Sequence, residues 1–221
     1  MSVAGIVAGR AGETPREGRR GRRRRDTLAE ILAISLDVMG EEGVGGLSLA
    51  EVARRMGIKP PSLYKHFASK DAVYDALFAL GARAHHDAVA AAVEGMAPGL
   101  ERLETGFEAS IDWCIGNPVL TQLLFWRPVP GFVPSAEAYA PTAESIALLH
   151  EGLEECVAAG ALREQVLGEE GIALFTSFVS GIVTQQLANE PGAGLASGRF
   201  TRHRKAAFAS FVAHYAAGSA P

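Results

Sequence analysis

The chain has 221 residues and a formal net charge of −4, with 21 Lys+Arg against 25 Asp+Glu and 48% hydrophobic residues. That length allows one or two domains and a core needing no metal or disulfide staple, and the apolar fraction excludes disorder throughout. A negative balance argues against a nucleic-acid binder, yet the charge is divided. Residues 1–70 carry 13 basic and 8 acidic side chains, and residues 71–221 carry 8 and 17. Such asymmetry suggests a different partner for each part.

Cys114 and Cys156 lie outside any CxxC or Cys/His cluster, so neither a zinc site nor a disulfide framework is expected. They read as buried, inert thiols, and no cofactor is implied. No uninterrupted run approaches the ~18–20 apolar residues of a membrane span. The apolar patch Val3–Ala8 precedes the basic cluster, the reverse of a secretory signal. The expectation is a soluble, cytoplasmic chain with no membrane partner. GxGxxG, P-loop, GxSxG and HExxH motifs are absent, so nothing points to an enzyme.

Residues 1–24 are rich in Gly and Arg, with few large apolar side chains. Such a segment buries too little surface to offset chain entropy and is expected to be a flexible basic arm. Order is expected from Asp26, where Leu28, Ile31, Leu32, Leu36 and Met39 recur at helical spacing. Gly43, Gly45 and Gly46 end that helix. Ser48 and Glu51 have the capping-box spacing, and Leu49, Val52, Ala53 and Met56 give the buried face of a short second helix that Gly57 stops. Pro60 and Pro61 suit the first turn of a third helix, which runs through His66. Ser69 caps a fourth, from Lys70 towards Val93.

The rest also reads as helices, at about 98–117, 118–126, 136–159, 169–189 and 200–215. A three-proline loop occupies 127–135, and a Gly-rich loop lies at 191–198. No strand alternation or internal repeat is seen. The predicted fold is all-α with about nine helices. A helix-turn-helix domain is expected at 25–70 and a larger helical domain at 71–217.

Two short helices joined by a tight glycine turn inside a three-helix unit are the helix-turn-helix arrangement. Its second helix enters the DNA major groove by its N-terminal residues. Here these are Lys59, Ser62, Tyr64, Lys65 and His66, all hydrogen-bonding groups.

The stretch from about Thr27 to Ala79, including LSLAEVARRMGIKPPSLYKHFASKDAVYDALF, resembles the tetracycline-repressor (TetR) family of bacterial transcription regulators. The pieces Ser62-Leu63-Tyr64-x-His66-Phe67 and Ser69-Lys70-Asp71 carry the resemblance. It covers about a quarter of the chain. It implies that Ser48, Tyr64, His66 and Lys70 meet phosphates, and that Lys59, Pro60, Pro61, Ser62 and Lys65 face the groove. Both roles fit the physics of cations, helix N-termini and base edges. Arg22, Arg23, Arg24 and Arg25 would extend the contact along the backbone or into the minor groove; the alternative is a solvated tail.

The resemblance further implies a C-terminal ligand-binding and dimerisation domain and a homodimer on a palindromic operator, more often repressing than activating, released by a small-molecule effector. Candidate ligand residues are Phe107, Trp113, Phe125, Trp126, Tyr139, His150 and Phe178. Candidate interface residues are Phe175, Ser177, Gly181, Thr184 and Ala188, with Phe208, Phe211, Val212 and Tyr215. Ordinary core or local pairing is the alternative for each. A competing function is a non-specific nucleic-acid-binding or architectural protein using only the basic arm.

Overall fold

A computed structural model of the protein describes residues 18–218. Among these residues there are nine α-helices and no strand, only one isolated bridge between Leu162 and Ala216. Helix α1 spans Arg19–Glu42, α2 Leu49–Arg55, α3 Pro60–Leu63, α4 Lys70–Val93 and α5 Leu100–Gly116. Helix α6 spans Pro118–Phe125, α7 Ala136–Ala158, α8 Glu169–Asn189 and α9 Arg204–Tyr215. Short 3-10 turns at Val44–Gly46, Glu164–Leu167 and Thr201–His203 complete the helical structure.

The chain divides into two compact units. The first contains the chain up to Ala84 together with Val119–Ala140. The second contains His85–Pro118 and the chain from Pro141 onward. This division does not fall at residue 70. The first half of α4, helix α6 and the proline loop all belong to the first unit.

In that unit α1 starts seven residues before the expected Asp26. The predicted arm is thus helical from Arg19, while residues 1–17 lie outside the described residues. Arginine is a good helix former, a property that the search for apolar periodicity does not register. The predicted stripe holds at its centre, where Ile31, Leu36, Val38 and Met39 are buried. Gly43, at a φ of 79° that side chains rarely adopt, turns the chain out of α1.

Ser48 caps α2 by accepting from the Glu51 N–H at 3.4 Å. Only this half of the predicted capping box forms. The Glu51 carboxylate instead takes Arg54 at 2.7 Å and Arg55 at 2.7 Å. Arg55 also bridges to Glu41 of α1 at 2.6 Å, which ties the two helices together. Leu49, Val52 and Ala53 are buried, and Ala53 is small enough for close packing. Gly57 then takes φ 68°, as the turn requires. Helix α3 is shorter than expected, since regular structure ends at Leu63 and residues 64–66 form a turn.

In the second unit α5, α8 and α9 pack around an aromatic cluster. The Phe107 ring lies 5.3 Å from Phe175 and 5.6 Å from Phe208. Phe211 is 5.2 Å from Phe175 and 5.3 Å from Tyr215. The Arg163 N–H donates to the Tyr215 carbonyl at 2.8 Å, which fastens the end of α9. Gln186, fully buried on α8, holds the Gly-rich loop: its Oε1 accepts from the N–H of Phe200 at 3.0 Å and of Thr201 at 3.3 Å. Its Nε2 donates to the Glu190 carbonyl at 2.8 Å. Both cysteines are buried, as expected.

One helix among the described residues, α8, is long and apolar enough to cross a membrane by length and composition. This qualifies the sequence reading, which counted uninterrupted apolar runs. The Thr, Ser, Gly and Gln residues of α8 break any such run while leaving its mean hydropathy high.

Candidate nucleic-acid interface

The reading end of the helix-turn-helix is built around two apolar anchors. Leu63 and Phe67 are buried, and their burial points the intervening residues outward. Tyr64 is 52% exposed. Lys59, Pro60, Pro61 and Lys65 are exposed as well, and Ser62 and His66 are half-buried. The structure thus brings the predicted groove-facing residues to one surface segment.

Pro60 and Pro61 occupy the first positions of α3 and carry no N–H. The Ser62 N–H is already taken by the Lys59 carbonyl at 2.9 Å. Helix α3 therefore offers few backbone donors for an anion, and attraction to phosphate falls to Lys59 and Lys65.

The flanking positions differ in availability. Ser48 is exposed, but its hydroxyl oxygen already serves as the α2 cap. The Lys70 ammonium donates to the Gly45 carbonyl at 3.1 Å and lies 5.5 Å from the centre of the Tyr74 ring. It is thus partly committed to the turn between α1 and α2. Nδ1 of His66 is buried and has no hydrogen-bond partner among the described residues. Arg22, Arg23 and Arg24 are exposed on the first turns of α1, and Arg25 is half-buried.

Arg54 and Arg55 add little positive field, because Glu51 and Glu41 neutralise them. Hydrogen bonds from Arg54 and Arg55 hold the Glu51 carboxyl down to about 2. The Arg55 bond likewise holds Glu41 below the ordinary carboxylate range. The cations of the interface are therefore the three lysines and the α1 arginines.

Sequence reasoning did not bring together Tyr74 with Phe132 or Asp75 with Ser135, pairs that meet within the first unit. Asp75 and Ser135 are 60 positions apart, so no local spacing announces them. The signal was the three-proline loop, whose stiffness implies a defined resting place.

The candidate ligand residues are divided between the two units. Phe125, Trp126 and Tyr139 belong to the first unit and are exposed, with Tyr139 stacked 6.2 Å from Phe78. In the second unit Phe107 is 1% exposed inside the aromatic cluster, so it is core. Trp113 is buried against the His85 ring at 5.2 Å. His150 pairs with Glu154 at 3.3 Å, the local pairing held as its alternative, and Phe178 is half-buried. A cleft of about 520 Å³ in this unit is lined by other residues, among them Asp87, Glu94, Met96, Leu148 and the ion pair of Arg102 with Glu155. That pair is short, at 2.8 Å, and mostly buried.

The candidate interface residues also separate. Phe175, Phe208, Phe211 and Tyr215 are buried in their own unit. They are core, packed ring against ring within that unit. Val212 is half-buried. Ser177, Gly181, Thr184 and Ala188 are all exposed along α8.

A compact glycine turn, a capped short helix and an outward-facing basic segment make up a helix-turn-helix unit. Residues 31–77 match the family described as bacterial regulatory proteins, tetR family. The likeness to that family rests on this segment. It is 43% identical to the class A tetracycline repressor of Escherichia coli over 47 residues, which cover 21% of this chain and 22% of that protein. It is 28% identical to an HTH-type transcriptional regulator of Mycobacterium bovis, Mb1846, over 54% of this chain and 52% of that one. The chain thus spans about half or less of the length of these curated relatives.

Among solved structures, the putative regulatory protein SCO4313 superimposes with a TM-score of 0.71 at 23% identity, covering 90% of this chain and 100% of that one. The tetR-family regulator PfmR of Thermus thermophilus gives a TM-score of 0.61 at 19% identity, over 83% and 97%. These two likenesses establish the shared fold.

Proposed function

We propose that the chain is a TetR-type transcriptional regulator, a repressor that binds a palindromic operator as a homodimer and is released by a small-molecule effector. One observation carries the reading. Lys59 just before α3 and Tyr64 and Lys65 in the turn just after it face solvent, while Leu63 and Phe67 anchor the segment from behind. Groove-facing groups read base edges, and the surrounding cations hold the phosphates.

The exposed α8 stripe of Ser177, Gly181, Thr184 and Ala188 supports pairing, since small residues permit close helix approach. A dimer would set two reading heads about 34 Å apart, one helical turn of DNA. The second-unit cleft has a volume within the range of small-molecule sites. Exposed Arg22–Arg24 on α1 supply a sequence-independent contribution that is steeply salt-dependent.

A mobility-shift titration separates this reading from a non-specific binder. The chain is expected to prefer a palindrome from its own upstream region over random DNA by about 1000-fold or more. Equal affinity for both would replace the regulator with the non-specific alternative.

A further inference from the structure

We infer that the proline loop Arg127–Ser135 is a strap that sets the pose of the DNA-reading head, with Asp75 and Ser135 as its latch and Tyr74 as the lever. This inference rests on the regulator reading above and names residues that position the same interface.

The strap is stiff by sequence. Pro128, Pro130 and Pro134 each restrict φ, Gly131 takes φ 79°, and Arg127 sits in the left-handed region at φ 47°. Its far end is latched. The Asp75 carboxylate accepts from the Ser135 N–H at 2.7 Å through one oxygen and from the Ser135 hydroxyl at 2.8 Å through the other. The Ser135 hydroxyl oxygen also caps α7 by accepting from the Ala138 N–H at 3.1 Å. A carboxylate holding two donors from one residue fixes both its position and its rotation.

The middle of the strap bears on the lever. The Phe132 ring lies 5.5 Å from that of Tyr74, which is fully buried next to Asp75 on α4. The Tyr74 hydroxyl donates to the Val44 carbonyl at 2.7 Å. One turn earlier on α4, Lys70 donates to the Gly45 carbonyl. The Val44–Gly46 turn also meets the strap itself, where a Cβ at Gly45 would stand 3.7 Å from the Pro128 carbonyl oxygen.

That turn delivers the chain to Ser48 and α2, onto which α3 packs. The turn is therefore held by both α4 and the strap, and its placement sets the angle of the reading helix. Asp75, Ser135 and Tyr74 contact no base or phosphate in this account. They are positioning residues.

The test compares full-length wild type with Asp75→Ala and Tyr74→Phe. Three quantities are read: amide exchange at Gly43–Gly46, the ratio of operator to random-DNA affinity, and the melting temperature. Removing the latch is expected to speed exchange at the turn by about tenfold. The affinity ratio should fall by about tenfold, as for one lost hydrogen bond to a charged group. The melting temperature should shift by only a few degrees, and the double variant should lose less than the sum of the two single losses.

Ser135→Thr keeps both donors and is expected to behave as wild type. Should Asp75→Ala fail to fold, Ser135→Ala removes the hydroxyl contact and is read the same way. Unchanged exchange in the latch variants, or faster exchange with an unchanged affinity ratio, would overturn the inference. If wild type itself fails to discriminate between DNAs, the regulator reading falls, and exchange at the turn alone decides the latch.

Discussion

The two units solve the same packing problem with different materials. The first adds directed contacts at its turns and helix ends to a mainly aliphatic core. Ser48 caps α2, Arg55 spans Glu41 and Glu51, Tyr74 reaches Val44, and Asp75 holds Ser135. The second depends on aromatic faces, with Phe107, Phe175, Phe208, Phe211 and Tyr215 in successive contact. Directed contacts set angles, which suits an element that must meet a DNA groove. Aromatic burial supplies most stability per residue and places little demand on the identity of surface residues.

The largest effect should come from the aromatic cluster. Phe211→Ala is expected to destabilise the protein by about 3–5 kcal/mol, measured by urea unfolding. A loss under 1 kcal/mol would show that the cluster is not the main core of that unit.

At the reading head, Tyr64→Ala should abolish operator binding with little change in unfolding, because Tyr64 is exposed. Lys65→Ala should weaken the operator by about 1–3 kcal/mol if the lysine reads a base. A uniform loss over all sequences would make it a phosphate contact instead.

Acid should weaken the second unit through His85. Burial, reinforced by the neighbouring His86, lowers its pKa to about 4 from 6.5. The unfolded chain then binds more protons than the folded one between those values. Stability should fall as pH drops from about 6.5 towards 4, by up to roughly 1.4 kcal/mol per pH unit. Unfolding of His85→Gln over the same pH range should show a flatter slope, and an unchanged slope would remove His85 as the cause.

Gln186→Leu should free the Gly-rich loop at a cost of about 1–3 kcal/mol, because it strands the donors of Phe200 and Thr201. Rapid proteolysis near residues 191–198 would report it, and undiminished resistance would argue against the assignment. The smallest effect is Ser48→Ala, at about 1 kcal/mol for one lost cap.

The first unit was largely legible because its chemistry is local. Ser48 lies three residues from Glu51, Gly57 marks the turn, and Leu63 and Phe67 bracket the exposed residues. Even there, the search for apolar periodicity missed the arginine turns of α1, and the Asp75–Ser135 latch joins positions too distant for any local pattern. In the second unit, helical spacing identified the apolar stripe of α9 without saying what covers it. Its aromatic residues are enclosed by their own unit, and small residues such as Gly181 and Thr184 remain at the surface. Cavity walls are equally hidden, since the cleft is formed by Asp87, Met96, Arg102 and Glu155 from three segments. The aromatic residues that first suggested a ligand are not among them.

Footprinting of wild type and Lys65→Ala on the DNA upstream of the chain's own gene tests the central claim most directly. The account predicts protection of a palindrome with half-sites one helical turn apart, lost or weakened in the variant at unchanged protein stability. Uniform protection along the DNA, identical for both proteins, would contradict it.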